Sequence, residues 1–229
     1  MKFLINYPTR SRPIKFFDTL KKYINNFSSK NEYKILISCD FDDVKMNNPD
    51  VAKKLREYKN LEFYYGRKKT KIDAINRDIK KITQHYDWDV LISAADDMIP
   101  VKENYDVEIE SAMNEHFPAL NGGLWFFDGY RRDLNTLSIL GRKRYEEFGY
   151  VYYPQYKSWY CDNEYTDIGL SDGKLKFIDK CIIRHEYPAH NSSVVFDELY
   201  KQNETAEIKF HDQNLFNQRK SNNYQPRCL

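Results

Sequence analysis

Short apolar runs alternate with longer amphipathic stretches over the first hundred residues. Four runs have the apolar composition of buried strands, at residues 3–5, 35–37, 61–65 and 90–92. The stretches between them carry apolar residues three or four positions apart, the spacing of one helix face. Strands that alternate with helices predict an α/β fold with a mainly parallel central sheet and helices on both of its faces.

Local sequence signals predict where two of these helices begin and which side chains they bury. Ser11 is the expected N-cap of a helix that begins near Pro13, and Thr70 is the expected N-cap of a later one. The predicted buried stripes are Ile14, Phe17, Leu20, Ile24 and Phe27 in the first helix, and Ile72, Ile75, Ile79 and Ile82 in the other.

The second half of the chain is less regular. Its pattern predicts a helix around Ile109 and Met113, a strand at 124–127, and a helix at 142–148 that Gly149 ends. Strands follow at 176–178 and 181–183, and the tail after Val194 is predicted to be helical. Since no repeat or linker interrupts the pattern, residues 1–229 are expected to form a single domain.

Composition narrows the classes of function. Lys and Arg number 36 against 34 Asp and Glu, so the formal net charge is only +2. A balanced charge gives no reason to expect a nucleic-acid partner. No apolar run reaches the roughly 18 residues of a transmembrane segment. The four cysteines form no Cys-x-x-Cys pair, so we expect reduced thiols and a cytoplasmic protein.

Acidic residues follow two of the predicted strands. Asp40 and Asp42 come after the second strand, and Asp96 and Asp97 come after the fourth. Ligands bind outside the carboxyl ends of parallel strands, which is where both clusters fall. Adjacent carboxylates are hard oxygen ligands that suit Mn²⁺ or Mg²⁺, although a solvated turn would have the same sequence.

Four segments, taken in order, resemble the family 2 glycosyltransferases of the GT-A fold. They are residues 7–13, which match a Pro-Thr-x-x-Arg-Pro-like loop, 37–40, which end in an Asp, 66–76, which contain Lys-x-x-Ala-x-Asn, and 93–97, which end in Asp-Asp. The match covers residues 1 to about 100, and a weaker similarity extends to about 190. Ala94 and Ala95 depart from the commonest family form, in which another Asp precedes the pair.

The resemblance implies a role for each matching position. The residues implied in nucleotide-sugar binding are Pro8, Thr9, Arg10, Asp40 or alternatively Asp42, Lys71, Asn76 and Asp96. Asp97 would hold the metal, Mn²⁺ or Mg²⁺. His185, after a late strand, would complete the metal shell, with His190 as the second choice.

A second cluster of acids lies at 159–164. In the family an Asp at the start of a helix in the second half takes the proton from the acceptor hydroxyl. Asp162 resembles this base, and Glu164 is the alternative. Asp162 could also serve only as the N-cap of the helix.

The resemblance therefore implies a metal-dependent transferase that moves a sugar, with inversion, from a nucleotide-diphosphate sugar to a saccharide or glycan acceptor. A UDP-sugar is the expected donor. Residues 1–100 would bind it, 101–190 would form the acceptor side, and 191–229 would be a helical tail. One alternative is a non-catalytic carbohydrate- or protein-binding module on the same fold. The other is a sugar nucleotidyltransferase, which the absence of Gly from residues 7–13 disfavours.

Overall fold

The computed structural model describes residues 1–67 and 69–227. Its strands are β1 (Lys2–Pro8), β2 (Glu32–Asp40), β3 (Leu61–Gly66), β4 (Val90–Ser93), β5 (Met98–Pro100), β6 (Gly123–Phe126), β7 (Ile139–Gly141), β8 (Leu175–Ile178) and β9 (Ile183–His185). Its helices are α1 (Pro13–Asn25), α2 (Pro49–Arg56), α3 (Lys71–Asn76), α4 (Ile79–Thr83), α5 (Tyr105–His116), α6 (Arg142–Phe148), α7 (Cys161–Ser171), α8 (Glu198–Asn203) and α9 (Ala206–Ser221).

The main sheet has the order β3-β2-β1-β4-β7-β6-β8. The pairs β1–β2, β2–β3, β1–β4 and β6–β8 are parallel, whereas β7 runs antiparallel to both of its neighbours. The predicted fold class, a mainly parallel sheet in an α/β fold, is confirmed. The short strands β5 and β7 were not predicted. The strand expected at 181–183 is β9 (Ile183–His185), so His185 is the last residue of this strand and does not follow it.

Helices cover both faces of the sheet, as the alternation of side chains along each strand requires. On one face, Phe3 and Ile5 of β1 pack into a core that includes α1, α2 and α5. On the other face, Leu4 packs into a core that includes α3, α4, α6 and α7. Because strands buried on both faces alternate between two cores, they appear in the sequence as continuous apolar runs.

The predicted details of two helices need correction. Arg12, not Ser11, is the N-cap of α1, and Ser11 has a φ of 64° with its N–H donated to Asp43. Ile14 was expected in the core but is 80% exposed, because α1 buries its other face. Thr70 does cap α3, as predicted. The single helix expected there is two, α3 and α4, although all four isoleucines are buried.

A two-stranded antiparallel ribbon lies beside the main sheet. After β4 the chain passes through residues 94–97 into β5, which pairs with β9. In this register Met98 lies opposite His185, and the N–H of Glu186 donates to the carbonyl of Asp97 at 2.7 Å. The ribbon therefore fixes the end of β9 next to the acidic pair.

The tail folds into α8 and α9, and both pack onto the rest of the chain. Asp212 of α9 is fully buried and accepts hydrogen bonds from the N–H groups of Lys157, Ser158 and Trp159. This contact ties the tail to the turn that precedes α7. In the described part of the chain, no helix combines the length and apolar character needed to cross a bilayer.

Candidate active site

One cavity opens at the carboxyl ends of the parallel strands. The predicted site residues that line it are Pro8, Thr9, Arg10, Asp40, Lys71, Asp96, Asp97, Asp162 and His185. Of the remaining predicted residues, Asp42, Asn76 and Glu164 are not part of the lining. Residues that lie up to 177 positions apart in the sequence, from Pro8 to His185, thus meet at one edge of the sheet.

Asp97 and His185 face each other across the ribbon. Nε2 of His185 lies 4.0 Å from Oδ2 of Asp97, and both side chains are mostly buried. Burial lowers the pKa of His185 below its ordinary value, against the opposing charge of Asp97. The imidazole is therefore neutral near pH 7, the form in which histidine binds metals.

The carboxylate of Asp97 is held in its charged form. Burial acts to raise its pKa, but nearby positive charges, among them those of Lys71 and Lys15, lower it below the ordinary value. The hydroxyl of Tyr200 also donates a hydrogen bond to Oδ2 of Asp97 at 2.9 Å. An ionised carboxylate beside a neutral imidazole is a donor pair suited to Mn²⁺ or Mg²⁺.

This pair fits a metal ion that the substrate helps to coordinate. Across residues 1–67 and 69–227, no group of three or more His, Cys, Asp or Glu side chains is arranged to hold a metal by itself. Mg²⁺ and similar ions commonly take one or two carboxylates from the protein and their other ligands from water and substrate phosphates. Two protein donors 4.0 Å apart are consistent with that arrangement.

Asp96, by contrast, forms ion pairs with two residues at the start of α1. Its Oδ1 accepts from Nη1 of Arg12 at 3.0 Å and lies 3.6 Å from Nζ of Lys15. Burial and the charge of Asp97 raise the pKa of Asp96, and these two cations oppose the rise. Asp96 therefore holds Arg12, a residue of the cavity lining, and lies close to a second positive charge on Lys15.

Asp40 ends β2 and is buried between two arginines. Arg10 donates to its Oδ2 and Arg77 to its Oδ1, both at 2.9 Å. Asp42 is exposed and pairs with Arg10 through both of its carboxylate oxygens. The buried hydroxyl of Thr9, which lines the cavity, has no hydrogen-bond partner among the described residues.

Asp162 lies in the first turn of α7 and lines the cavity. Burial raises the pKa of its carboxyl, and the charge of Lys71 opposes the rise. The N-cap of α7 is Tyr160, so the alternative reading of Asp162 as the N-cap is wrong. Lys71, the first residue of α3, is exposed, and no ion pair holds it within the described chain.

Two predicted residues have structural contacts instead. Glu164 is buried in an ion pair with Arg219, and its Oε2 also accepts from the hydroxyl of Tyr156 at 2.8 Å. Asn76 donates to the carbonyl of Tyr152 and accepts from the N–H of Val151. The hydrogen-bond partners of both side chains therefore belong to the packed structure, and neither side chain lines the cavity.

The second choice for the metal shell also lies elsewhere. His190 is exposed and stacks on Tyr130 with ring centroids 5.3 Å apart, and it does not line the cavity.

Sequence reasoning missed the wall that the tail contributes. Leu199, Tyr200 and Asn203 of α8, with Glu204 directly after it, line the cavity. Arg12 was also missed as a site residue, although it belongs to the loop at 7–13. Its guanidinium lies 4.2 Å from the ring centroid of Tyr200. The loop motif was a usable signal for Arg12, but α8 has no comparable motif.

Comparison with known proteins supports the fold. No family model matches the sequence. No curated protein sequence matches it either. Among solved structures, S. aureus TarS 1-349 in complex with UDP-GlcNAc is 14% identical and has a TM-score of 0.61, and the match covers 96% of this chain and 73% of that one. The same fragment in complex with UDP gives a TM-score of 0.63 at 14% identity, covering 96% of this chain and 71% of that one.

A third structure carries a metal. The mannosyltransferase PcManGT from Pyrobaculum calidifontis, in complex with GDP-Man and Mn²⁺, is 9% identical with a TM-score of 0.59. That match covers 79% of this chain but only 54% of the mannosyltransferase, so this chain spans about half of its length. At these identities the likeness concerns the fold, and the predicted GT-A-like fold is confirmed.

Proposed function

We propose that this chain is a glycosyltransferase that uses a divalent cation and a nucleotide-diphosphate sugar. The observation that carries the proposal is the 4.0 Å approach of Asp97 and His185 in a cavity that Lys71 and Asp162 also line. Sugar transfer from a diphosphate can use each of these groups. Asp97 and His185 would be the metal ligands, Lys71 the positive charge for the phosphates, and Asp162, whose pKa is raised, the base.

The donor diphosphate would bind through the cation. Asp97 and His185 would hold Mn²⁺ or Mg²⁺, which when bound would act as a Lewis acid on the departing diphosphate. Lys71 would contact the same phosphates, and Arg12 and Lys15 would add positive charge behind Asp96. One fold neighbour, S. aureus TarS 1-349, was solved with UDP and with UDP-GlcNAc, which supports a uridine nucleotide as the donor, whereas the mannosyltransferase was solved with GDP-Man.

Thr9 and Asp40 would recognise the base. Each carboxylate oxygen of Asp40 accepts from one arginine and keeps a second lone pair. Such an oxygen can accept the N3–H of uracil. The two arginines also hold the carboxylate in a fixed orientation, which lowers the cost of ordering it on binding.

Asp162 would act as the general base. It takes the proton of an acceptor hydroxyl while that oxygen attacks the anomeric carbon and the bond from that carbon to the diphosphate oxygen breaks. Attack from the face opposite the leaving group inverts the anomeric centre. A raised pKa brings the carboxyl nearer to the operating pH, which improves a base. The acceptor would be a saccharide or a glycan-bearing molecule.

Thermal unfolding with UDP, Mn²⁺ and a chelator tests the proposal. We expect UDP to stabilise the protein only with Mn²⁺ present, by about 2.7 kcal/mol at 100 times its dissociation constant. Asp97→Asn is expected to abolish this dependence, whereas the matched variant Asp87→Asn, at an 86% exposed side chain, is expected to keep it. Equal stabilisation in the chelator contradicts the metal-bridged donor.

Turnover separates an enzyme from a binding module. Release of UDP from UDP-sugars is measured in the presence of Mn²⁺ and a panel of saccharide acceptors. Acceptor-dependent release supports the transferase. Metal-dependent UDP binding without any release would favour the non-catalytic module on the same fold.

A further inference from the structure

A buried carboxylate, Asp128, lies on the far side of His185 from Asp97. It follows β6 and is only 3% exposed. Its Oδ1 accepts from the N–H groups of Tyr130 and Arg131 at 2.8 and 2.7 Å, and its Oδ2 accepts from the hydroxyl of Thr136 at 2.7 Å. The backbone bonds explain the place of Oδ1 in the turn, but they do not involve Oδ2.

Oδ2 of Asp128 faces the second ring nitrogen of His185. The two atoms are 3.9 Å apart, and Nδ1 of His185 is buried with no hydrogen-bond partner in the described chain. The N–H of His185 also donates to the carbonyl of Asp128 at 2.9 Å, so the two residues are held side by side. Since Oδ2 accepts only one hydrogen bond from Thr136, it retains a lone pair for Nδ1.

We propose that Asp128 is a positioning residue that sets the tautomer and orientation of the His185 ring for metal binding. The proposal rests on the proposed function, because His185 must be a metal ligand. A neutral imidazole has one N–H and one free lone pair. With its hydrogen on Nδ1, directed at Asp128, the ring presents the lone pair of Nε2 to the space beside Asp97.

Asp128, His185 and Asp97 would thus act in sequence. Asp128 would fix the ring of His185, and His185 and Asp97 would bind the metal. Metal-binding histidines generally donate their other N–H to a carboxylate or carbonyl, which fixes the ring and makes it a better ligand. Among the described residues, Asp128 is the carboxylate within 4.0 Å of Nδ1, and Asp97 is the one within 4.0 Å of Nε2. Asp128 itself would not touch the metal or the substrate.

The first experiment measures the tautomer directly in the metal-free protein. Proteins labelled with ¹⁵N-histidine are studied by long-range ¹H–¹⁵N correlation NMR, and His185→Gln identifies the signals of His185. We expect hydrogen on Nδ1 in the wild type and on Nε2 in Asp128→Asn, whose amide presents an N–H to the ring. Hydrogen on Nε2 in the wild type overturns the proposal, whether or not the variant folds.

The second experiment measures Mn²⁺ affinity by electron paramagnetic resonance with saturating UDP. Asp128→Asn, which keeps an oxygen for the turn, is expected to weaken Mn²⁺ binding roughly 10- to 100-fold. The control is Asp133→Asn, an exposed acid on the same loop that pairs with Arg131, for which no change is expected. Unchanged affinity in Asp128→Asn overturns the positioning role alone. Absence of Mn²⁺ binding in the wild type contradicts the proposed function instead.

Discussion

The hydroxyl of Tyr200 donates a hydrogen bond to the same oxygen of Asp97 that faces Nε2 of His185. Tyr200 lies in α8, 103 positions after Asp97. Its ring packs on the guanidinium of Arg12, which in turn pairs with Asp96 and Asp197. The tail therefore takes part in holding the carboxylate pair, and it is not an appendage to the sheet.

Tyr200→Phe tests whether this contact orients Asp97 as the proposed metal ligand. Loss of the hydroxyl leaves Asp97 free to rotate, so we expect Mn²⁺ affinity with UDP to fall roughly tenfold or more. Tyr187→Phe is the matched control, because its hydroxyl bonds to Glu204 and not to Asp97. Calorimetric titration of both variants checks the prediction, and equal affinities in the two would contradict it.

Asp162→Asn is expected to separate chemistry from binding. An amide cannot take the acceptor proton, so kcat should fall about 10²- to 10⁴-fold, the usual contribution of a general base. The Mn²⁺-dependent affinity for UDP is expected to stay near that of the wild type. Asp179→Asn, a surface acid that is 60% exposed, serves as the control. Near-normal transfer by Asp162→Asn would remove Asp162 from the mechanism.

Glu164→Gln, in contrast, is expected to weaken the fold. Both carboxylate oxygens of Glu164 accept from Arg219 at 2.7 Å, and the two side chains are only 4% and 5% exposed. Removing one partner of a buried pair costs roughly 3–5 kcal/mol, which corresponds to a fall in Tm on the order of 10 °C.

The double variant Glu164→Leu with Arg219→Met identifies the origin of that loss. An apolar pair of similar volume leaves no unpaired charge, so we expect it to recover much of the stability. Thermal unfolding of the three proteins measures the effect. An unchanged Tm in Glu164→Gln would show that the ion pair is not structural.

The sequence alone could not decide whether Asp162 or Glu164 faces the cavity. Asp162 and Glu164 are two positions apart, and such residues point to different sides of a helix. Which of them faces the cavity depends on Arg219, an ion-pair partner 55 positions away that no local pattern indicates. Strands β1 to β4 and helices α1 and α2, by comparison, follow from local periodicity, whereas β5 and the division between α3 and α4 were not predicted.

Asp97 and His185 could be singled out from the sequence, but their surroundings could not. Both were proposed as metal ligands because the chain resembles the family 2 glycosyltransferases, and the structure brings the two side chains to 4.0 Å of each other. Tyr200 has no such signal, because its contact with Asp97 joins distant segments through tertiary packing. The exposure of Ile14 likewise depends on which face of α1 meets the sheet, which its spacing left ambiguous.

The pH dependence of transfer is expected to respond to Lys71. Its charge lowers the pKa of Asp162 and the pKa of His185. Lys71→Met therefore raises both pKa values. Because a base must be deprotonated and a metal-binding imidazole neutral, activity is present above these pKa values and is lost as pH falls through them. The acidic limb of the profile thus moves to higher pH.

Measuring kcat/KM for the donor between about pH 4 and 8 checks this shift, since that quantity reports the ionisations of the free enzyme. Lys80→Met, at an exposed position of α4, is the control and is expected to leave the limb in place. A limb that stays fixed or moves to lower pH in Lys71→Met would contradict the prediction.

The proposed recognition of uracil by Asp40 predicts a preference for UDP over CDP. Cytosine has no hydrogen at N3, so a carboxylate there loses a charge-assisted hydrogen bond worth about 1.5–3 kcal/mol, or roughly tenfold or more in affinity. Asp40→Ala also frees Arg10 and Arg77, which affects both nucleotides alike, so the informative quantity is the ratio of the two affinities. We expect this ratio to fall towards one.

Asp42→Ala is the matched control, because Asp42 also pairs with Arg10 but lies outside the cavity lining. Calorimetric titrations of UDP and CDP with Mn²⁺, on the wild type and both variants, decide whether Asp40 or Asp42 recognises the base. A ratio that changes only in Asp42→Ala would transfer the role to Asp42, and a ratio unchanged in both variants would leave the two carboxylates as partners of Arg10 alone.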